Sequence, residues 1–203
     1  RARTFVLASI KGEWKRRYVR SRLGFAWAVL NPLGQALIYA VVLSEMIGGR
    51  FQSDLGKESF FLHVMGGLAV WGLFAEISTR SLSMFADHAD FMKKVAFPRE
   101  CIPLVVFGSA FLSHAILLVV TFGALLVSGH RFYLGWLFLF PLSVLVGIIF
   151  VAFGIILGIL NSFARDIGQG FPTILQIWFW LTPVVYAADI IPGFLRPLIL
   201  LNP

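Results

Sequence analysis

The stretch that decides the fold class is residues 132–160, which read FYLGWLFLFPLSVLVGIIFVAFGIILGIL. It has no charged residue and is longer than the roughly 20 apolar residues that a helix needs to cross the membrane hydrocarbon. Over the whole chain of 203 residues, 59% are hydrophobic and only 13% are charged, whereas a soluble domain is about a quarter charged. The sequence therefore predicts an all-α integral membrane protein.

Further apolar runs predict the other membrane spans. We expect five transmembrane helices, at residues 23–47, 60–77, 102–127, 132–160 and, shorter than the rest, 171–186. Residues 190–203 are apolar but are interrupted by Pro192 and Pro197, so they predict a short re-entrant hairpin sheltered by protein. No repeat or linker divides the chain, and we expect one transmembrane domain over residues 1–203.

The distribution of Lys and Arg predicts the orientation. With the N-terminus in the cytoplasm, only four of the 17 basic residues lie outside, namely Arg50, Lys57, Arg131 and Arg196. Short connecting loops rich in Lys and Arg stay in the cytoplasm. The net charge of +7 lies at the edges of apolar runs, which favours membrane lipids and not nucleic acid as its partner.

Residues 1–22 precede the first span and predict an amphipathic helix. An apolar residue recurs every four positions, at Val6, Ile10, Trp14 and Tyr18, and basic residues cover the remaining surface. Such a helix is typical of a segment lying in the membrane interface, where each basic residue near anionic lipid contributes about 1 kcal/mol. A plain basic flank of the first span is the alternative interpretation.

Residues 85–97, between the second and third spans, predict a short cytoplasmic helix that ends at Pro98. Its narrow apolar face consists of Phe85, Ala89, Met92 and Val95. Two i,i+4 ion pairs are possible around this segment, Glu76 with Arg80 and Asp90 with Lys94. An apolar face rimmed by charge suits docking to a partner protein, and a solvated loop helix is the alternative.

The residue patterns of an enzyme or an ion-coupled transporter are missing. The sequence has no GxxxxGK[ST] phosphate loop, no HExxH motif and no paired-cysteine spacing. His114 lies within a span, where we expect a hydrogen-bonded packing residue and not a ligand. The acids Glu45, Glu76 and Asp189 lie near span ends, which weakens proton or sodium coupling. We therefore expect no cofactor, no metal and no catalytic residue in this chain, and an energy source elsewhere.

Aromatic and small residues are abundant within the spans. Aromatic rings can meet the C–H faces of a pyranose, and the candidates for a substrate path are Trp27, Tyr39, Trp178 and Trp180. The alternative is that these rings belong to interfacial belts or face lipid. Three glycines of the fourth span, Gly147, Gly154 and Gly158, predict close contact between helices.

Four segments, in order along nearly the whole chain, carry a resemblance to a known family. They are RYVRSRLGFAW at 17–27 running into LNPL at 30–33, MKKVAFPRE at 92–100, NSFARDI at 161–167, and residues 176–186 followed by Ile191-Pro192 and Leu201-Asn202-Pro203. The chain resembles the permease subunits of type-2 ABC transporters that export lipid-linked polysaccharides such as O-antigen, capsule or teichoic-acid chains.

The resemblance implies a homodimeric channel in the bacterial inner membrane, driven by two copies of a separate subunit that binds ATP and Mg²⁺. It also implies a sixth span beyond residue 203. The channel would move an undecaprenyl-linked glycan outward. Because the energy comes from a partner, we expect a cytoplasmic contact with the ATPase, formed by Phe91, Met92, Lys93, Lys94, Val95, Phe97, Arg99, Arg165 and Asp166.

Three other functions compete with this interpretation. A permease of a drug or small-lipid ABC exporter has a similar architecture. A membrane-embedded enzyme acting on lipid-linked sugars would need a cluster of acids or a histidine pair at one membrane face. A purely structural anchor would need no broken fifth span and no proline-rich hairpin.

Overall fold

Helices and turns make up the part of the chain that the computed structural model describes, which is residues 2–19, 22–24, 26–27, 29–31, 33–34, 38, 56–89, 98–127 and 134–184. The long helices in these ranges are α1 (Ala2–Val19), α2 (Gly56–Asp87), α3 (Cys101–Val127), α4 (Leu139–Phe163) and α5 (Asp166–Leu181). A short 3₁₀ helix, Leu134–Phe138, precedes α4. These ranges contain no strand, so the predicted all-α class is confirmed for them.

Two stretches of the described helices, Cys101–Gly123 and Leu139–Phe163, are long and apolar enough to cross a membrane. They correspond to the spans predicted at 102–127 and 132–160. The 25 residues of α4 reach about 37 Å at 1.5 Å per residue, which exceeds the roughly 30 Å of hydrocarbon. The first predicted span, 23–47, lies mostly outside the described residues, so the count of five spans stays a prediction.

The fourth helix begins at Leu139 and not at residue 132 as predicted. Pro141 lies in its first turn, where the backbone amides have no partner within the helix. The segment Leu134–Phe138 before it is the tighter 3₁₀ form. Hydropathy did not detect this change, because the segment before α4 is also apolar and uncharged.

The predicted boundaries of the fifth span are wrong at both ends. Helix α5 begins at Asp166 instead of 171, and the negative charge in its first turn is favourable for the helix dipole. It ends at Leu181 instead of 186, because Thr182 precedes Pro183 and is extended (φ −94°, ψ 129°). Its 16 residues reach only about 24 Å. The predicted hairpin at 190–203 lies outside the described residues.

The second helix is longer than the span predicted at 60–77. Its 32 residues reach about 48 Å, well beyond the hydrocarbon thickness. Phe85, the first residue of the predicted cytoplasmic helix, therefore belongs to the end of α2. The His88 ring bonds the Met84 carbonyl at 2.8 Å and satisfies one of the last backbone acceptors. Residues 90–97 lie outside the described part, and the 85–97 helix stays a prediction.

Helix α2 lies between the others, in contact with α4, α3 and α5. The glycines of α4 allow α4 to approach α2 closely. A Cβ at Gly158 would lie 2.5 Å from the Ser81 carbonyl oxygen, and a Cβ at Gly154 would clash with the Ser81 side chain. At Gly147 a Cβ would lie 2.6 Å from the Phe107 ring of α3. The close helix contacts predicted from these three glycines are confirmed.

His114 links three helices. Its Nδ1 lies 3.2 Å from the Ala69 carbonyl of α2, and its Nε2 lies 2.9 Å from the Ser143 hydroxyl of α4. A carbonyl only accepts, so Nδ1 carries the hydrogen and Nε2 accepts from the serine. The predicted role as a hydrogen-bonded packing residue is confirmed, since the side chain is buried and both ring nitrogens have partners.

Candidate functional site

Helices α1, α2 and α3 meet at four charged side chains of alternating sign. Arg17 on α1 donates to Glu76 on α2 at 2.7 Å, and Arg80 pairs with Glu13 of α1. The predicted pair of Glu76 with Arg80 is confirmed at 3.6 Å and joins the two interhelical pairs. The result is one chain of opposite charges, Glu13–Arg80–Glu76–Arg17.

Two serines of α3 complete this charged network. Ser109 accepts a hydrogen bond from Arg80 and donates one to Glu13 at 3.1 Å. Ser113 accepts one from Arg17 at 3.2 Å. The side chains of Glu13 and Arg80 are only 17% and 23% exposed, so water screens this pair less than a surface pair.

Sequence reasoning missed most of this network. It assigned Arg17 to the basic surface of an interfacial helix and gave Glu13 no role. The available signal was that Glu13 is the one acidic residue in the basic segment 1–22. The apolar stripe of α1 is half-buried at Val6, Ile10 and Trp14, and Ile10 lies against Gly108 of α3. One side of α1 therefore contacts protein, and its interfacial location stays a proposal.

A cavity of about 230 Å³ with a mixed polar and apolar lining opens beside the network. Its lining includes Trp27 and Asn31, Glu76 of α2, and Ser113 and His114 of α3. The cavity combines an aromatic ring with hydrogen-bond donors and acceptors.

A second cavity, of about 220 Å³, is mainly aromatic. Trp71 and Phe74 of α2, Phe150 of α4 and Trp178 of α5 line it, together with Pro183. The ring centroids of Trp178 and Phe74 are 5.2 Å apart in an edge-to-face arrangement, a favourable geometry for aromatic pairs. This aromatic cluster holds α5 against α2.

The three predicted substrate-path residues that the structure describes are not brought together within one protomer. Trp27 and Trp178 lie in different cavities on opposite faces of α2. Trp180 is 55% exposed, and its ring lies against that of Phe179. Tyr39 lies outside the described residues.

A wide groove of about 640 Å³ lies between one end of α2, α3 and α4. We predict that this end of the three helices is cytoplasmic. Of the predicted ATPase contacts, Arg99 lines this groove. Arg165 and Asp166 are exposed at the link between α4 and α5. Phe163, also in the groove, is 87% exposed. The other predicted contacts lie outside the described residues: Phe91, Met92, Lys93, Lys94, Val95 and Phe97.

Asn161 organises the link between α4 and α5, and sequence reasoning gave it no separate role. Its Nδ2 donates to the Leu82 carbonyl of α2 at 2.7 Å, and its Oδ1 accepts from the Gly168 amide of α5 at 2.8 Å. One side chain thus ties three helices together at the groove. Its place in the quoted segment NSFARDI was the only signal in the sequence.

The described residues contain no group of three or more His, Cys, Asp or Glu side chains that could hold a metal ion. What they do contain are two cavities within the helix bundle, a charged network and a groove at one end. Cavities and grooves are the usual places where proteins bind ligands.

Comparison with known proteins identifies the family. A family model for ABC-2 type transporters matches residues 4–203. Two O-antigen export system permease proteins RfbA from Klebsiella pneumoniae are 34% and 35% identical to the chain, over 191 and 194 residues, and each match covers 93% of this chain and 71% of the relative. An O-antigen export system permease protein RfbA from Myxococcus xanthus is 30% identical over 188 residues, which are 91% of this chain and 68% of the relative. The chain therefore belongs to the ABC-2 type transporter family, as a membrane permease that works with an ATP-binding subunit.

Proposed function

We propose that the chain is the channel-forming permease of an ABC transporter that exports a lipid-linked, O-antigen-like polysaccharide across the bacterial inner membrane. The observation that carries this proposal is its similarity, over more than nine-tenths of its length, to permeases named for O-antigen export. Two copies form the channel, with the N-terminus of each in the cytoplasm. A separate pair of ATPase subunits binds ATP and Mg²⁺ and supplies the energy.

The glycan path in this proposal runs along aromatic rings. Trp180 is more than half exposed, and a second copy seated against this side of α5 would enclose it. Stacking of a nucleic-acid base on an aromatic side chain contributes about 1–3 kcal/mol, and sugar stacking belongs at the weak end of that range or below. Trp180→Ala should therefore slow export several-fold and leave the fold intact. Trp178→Ala should also lower stability, because Trp178 packs on Phe74 and Phe153. Trp27 and Tyr39 are the further candidates.

The ATPase contact in this proposal comprises the 85–97 segment and the groove beside it. Arg99 and Glu100 are charged groups among apolar lining residues such as Phe85 and Pro103. Phe163, which is 87% exposed, extends this apolar lining, and an exposed apolar patch rimmed by charged residues is typical of an interaction site. Interface anchors of this kind can contribute 2 kcal/mol or more, whereas the charged rim residues Arg165 and Asp166 should contribute less.

The exposed side of α1 contacts lipid in this proposal. Lys11, Lys15 and Arg16 are exposed, while the stripe with Ile10 and Trp14 packs inward. Basic side chains on an amphipathic helix favour an anionic membrane surface. The helix thus has one side on α3 and one side on headgroups.

Deletion of the gene in its own host tests the proposed export function. Surface polysaccharide should disappear, undecaprenyl-linked glycan should accumulate inside, and a plasmid copy should reverse both changes. Analysis of O-antigen, capsule and teichoic-acid fractions would show which glycan is carried. Unchanged amounts of all three would refute polysaccharide export and favour a drug or small-lipid exporter. The purified permease alone should hydrolyse no ATP, and robust hydrolysis without a partner would contradict the proposed division of labour.

A further inference from the structure

Charged and hydroxyl side chains repeat at the same interval on all three helices of the network. Each helix contributes a pair of polar residues four positions apart: Glu13 and Arg17 on α1, Arg80 and Glu76 on α2, and Ser109 and Ser113 on α3. Side chains at i and i+4 lie on the same face of a helix, one turn apart. Each turn of the interface therefore holds one interhelical ion pair and one serine hydroxyl.

The alternation of charge makes this arrangement specific for one position of α1. Sliding α1 by one turn, about 5.4 Å, brings Arg17 to the level of Arg80. Sliding it one turn the other way brings Glu13 to the level of Glu76. Either shift replaces attraction by repulsion, and in a partly buried site an uncompensated charge is strongly unfavourable.

A steric contact fixes the same position independently. Ile10, one turn before Glu13, lies so close to Gly108 of α3 that a Cβ at position 108 would force the end of the Ile10 side chain to shift. The Ile10 side chain thus occupies the space that a Cβ at Gly108 would need. A one-turn shift would remove Ile10 from this space and bring it against the neighbouring side chains of α3.

We propose that the charged network locks the axial register of α1 on α2 and α3, so that α1 moves with these two helices as one unit. Glu13, Arg17, Glu76 and Arg80 are then positioning residues for transport. In this proposal α1 is more than a lipid anchor, because it moves together with α2 and α3. The link to transport rests on the proposed export function, whereas the register itself does not.

Cross-linking in native membranes tests the register. In the complete transporter with Cys101→Ser, the pair Ile10→Cys and Gly108→Cys should cross-link efficiently with a short thiol reagent, since Ile10 contacts Gly108 and the smaller residue at position 10 leaves space. Adding Arg80→Glu should lower the cross-linking yield by roughly tenfold, a shift in populations equivalent to about 1.4 kcal/mol. The milder substitution Glu13→Gln should lower the cross-linking yield less. It can still be measured if the Arg80→Glu protein fails to insert into the membrane. Arg22→Glu makes the same charge change at an exposed position beyond α1 and should leave the yield within about twofold of the parent.

Full charge reversal provides the decisive rescue. The quadruple variant Glu13→Arg, Arg17→Glu, Glu76→Arg, Arg80→Glu keeps opposite charges at every contact, and each serine hydroxyl can both donate and accept. It should recover most of the cross-linking. The double reversal at positions 13 and 80 should recover less, because it leaves two like charges at positions 76 and 80.

Transport provides the second readout. The ratio of glycan exported to ATP hydrolysed by the complex should fall by roughly tenfold in Arg80→Glu and recover in the quadruple variant, while the amount of assembled complex changes little. A purely structural role would lower assembly, hydrolysis and export together and would contradict the positioning role. A cross-linking yield in Arg80→Glu equal to that of the parent would overturn the register lock. A yield in the quadruple variant no higher than in Arg80→Glu would also overturn it. A parent complex that exports no glycan would refute the proposed function alone, since cross-linking still decides the register.

Discussion

Gly158 of α4 is a position where one added methyl group would meet the backbone of a neighbouring helix. In Gly158→Ala the new Cβ would lie 2.5 Å from the Ser81 carbonyl oxygen, 3.1 Å from Met84 and 3.2 Å from Phe85. The two side chains can turn away. The carbonyl oxygen belongs to the backbone of α2 and cannot turn away. The added methyl group therefore forces α4 to move away from α2.

The size of the effect follows from the geometry. Ordinary contacts lie near 3.5 Å, so the helices must separate by about 1 Å, and a gap of that size loses up to about half of each contact energy across the interface. Overpacking of this kind typically costs about 1–3 kcal/mol. The higher helix propensity of Ala returns up to about 1 kcal/mol. We expect a net loss of roughly 1–2 kcal/mol in the free energy of unfolding.

Gly66→Ala is the matched control, because a Cβ at Gly66 of α2 meets nothing within 4 Å. The same chemical change should there be neutral or stabilising by up to about 1 kcal/mol. The measurement is the thermal unfolding midpoint of the purified permease, in which 1 kcal/mol corresponds to about 2–4 °C for a chain of this length. If Gly158→Ala matches or exceeds the midpoint of Gly66→Ala, the close packing of α4 on α2 is refuted.

Topology, the α4–α5 link and the ATPase contact each provide a further test. Cysteine labelling from outside the cell should reach positions 52 and 131 but not 88 or 166, because the basic residues favour a cytoplasmic N-terminus; the opposite result would reverse the orientation. Asn161→Ala should lower stability by about 1–3 kcal/mol, because it removes the bonds to α2 and α5. Ser162→Ala, whose hydroxyl bonds only within α4, is its control in the same unfolding assay, and equal midpoints would rule out the link. Phe91→Ala and Met92→Ala should each weaken ATPase binding in a pull-down by about 2 kcal/mol or more; full binding by both would move the contact to the α4–α5 link.

Features that depend on local composition could be predicted from the sequence. The apolar runs of α3 and α4 exceed the length that a membrane requires. The three glycines of α4 permit close helix contact whichever helix lies beside them. The ends of α5 were predicted wrongly because hydropathy measures apolar content and not helix termination. The polar Asp166 begins this helix and Pro183 limits it, although both residues were visible in the sequence.

The charged network could not be predicted because its partners are far apart in sequence. Glu13 and Arg80 are 67 positions apart, and Arg17 and Ser113 are 96 apart. A basic side chain near a span has the same local pattern whether it faces lipid or a carboxylate of another helix. Only the i,i+4 pair of Glu76 and Arg80 was within reach of local reasoning, and that pair was found.

The two faces of α2 explain how a charged helix can lie at the centre of a membrane protein. The face with Glu76 and Arg80 meets the paired charges and hydroxyls of α1 and α3, so its charges are compensated within the protein. The opposite face, with Phe74 and Ser81, meets the aromatic rings and glycines of α4 and α5. Because α2 also reaches Asp87, close to the proposed ATPase contact, we expect a displacement at this end, which we propose to be cytoplasmic, to reach both sides of the bundle. If the proposed register lock on one side and the Asn161 link on the other both carry that displacement, a defect on either face of α2 should give a variant in which ATP hydrolysis is uncoupled from export.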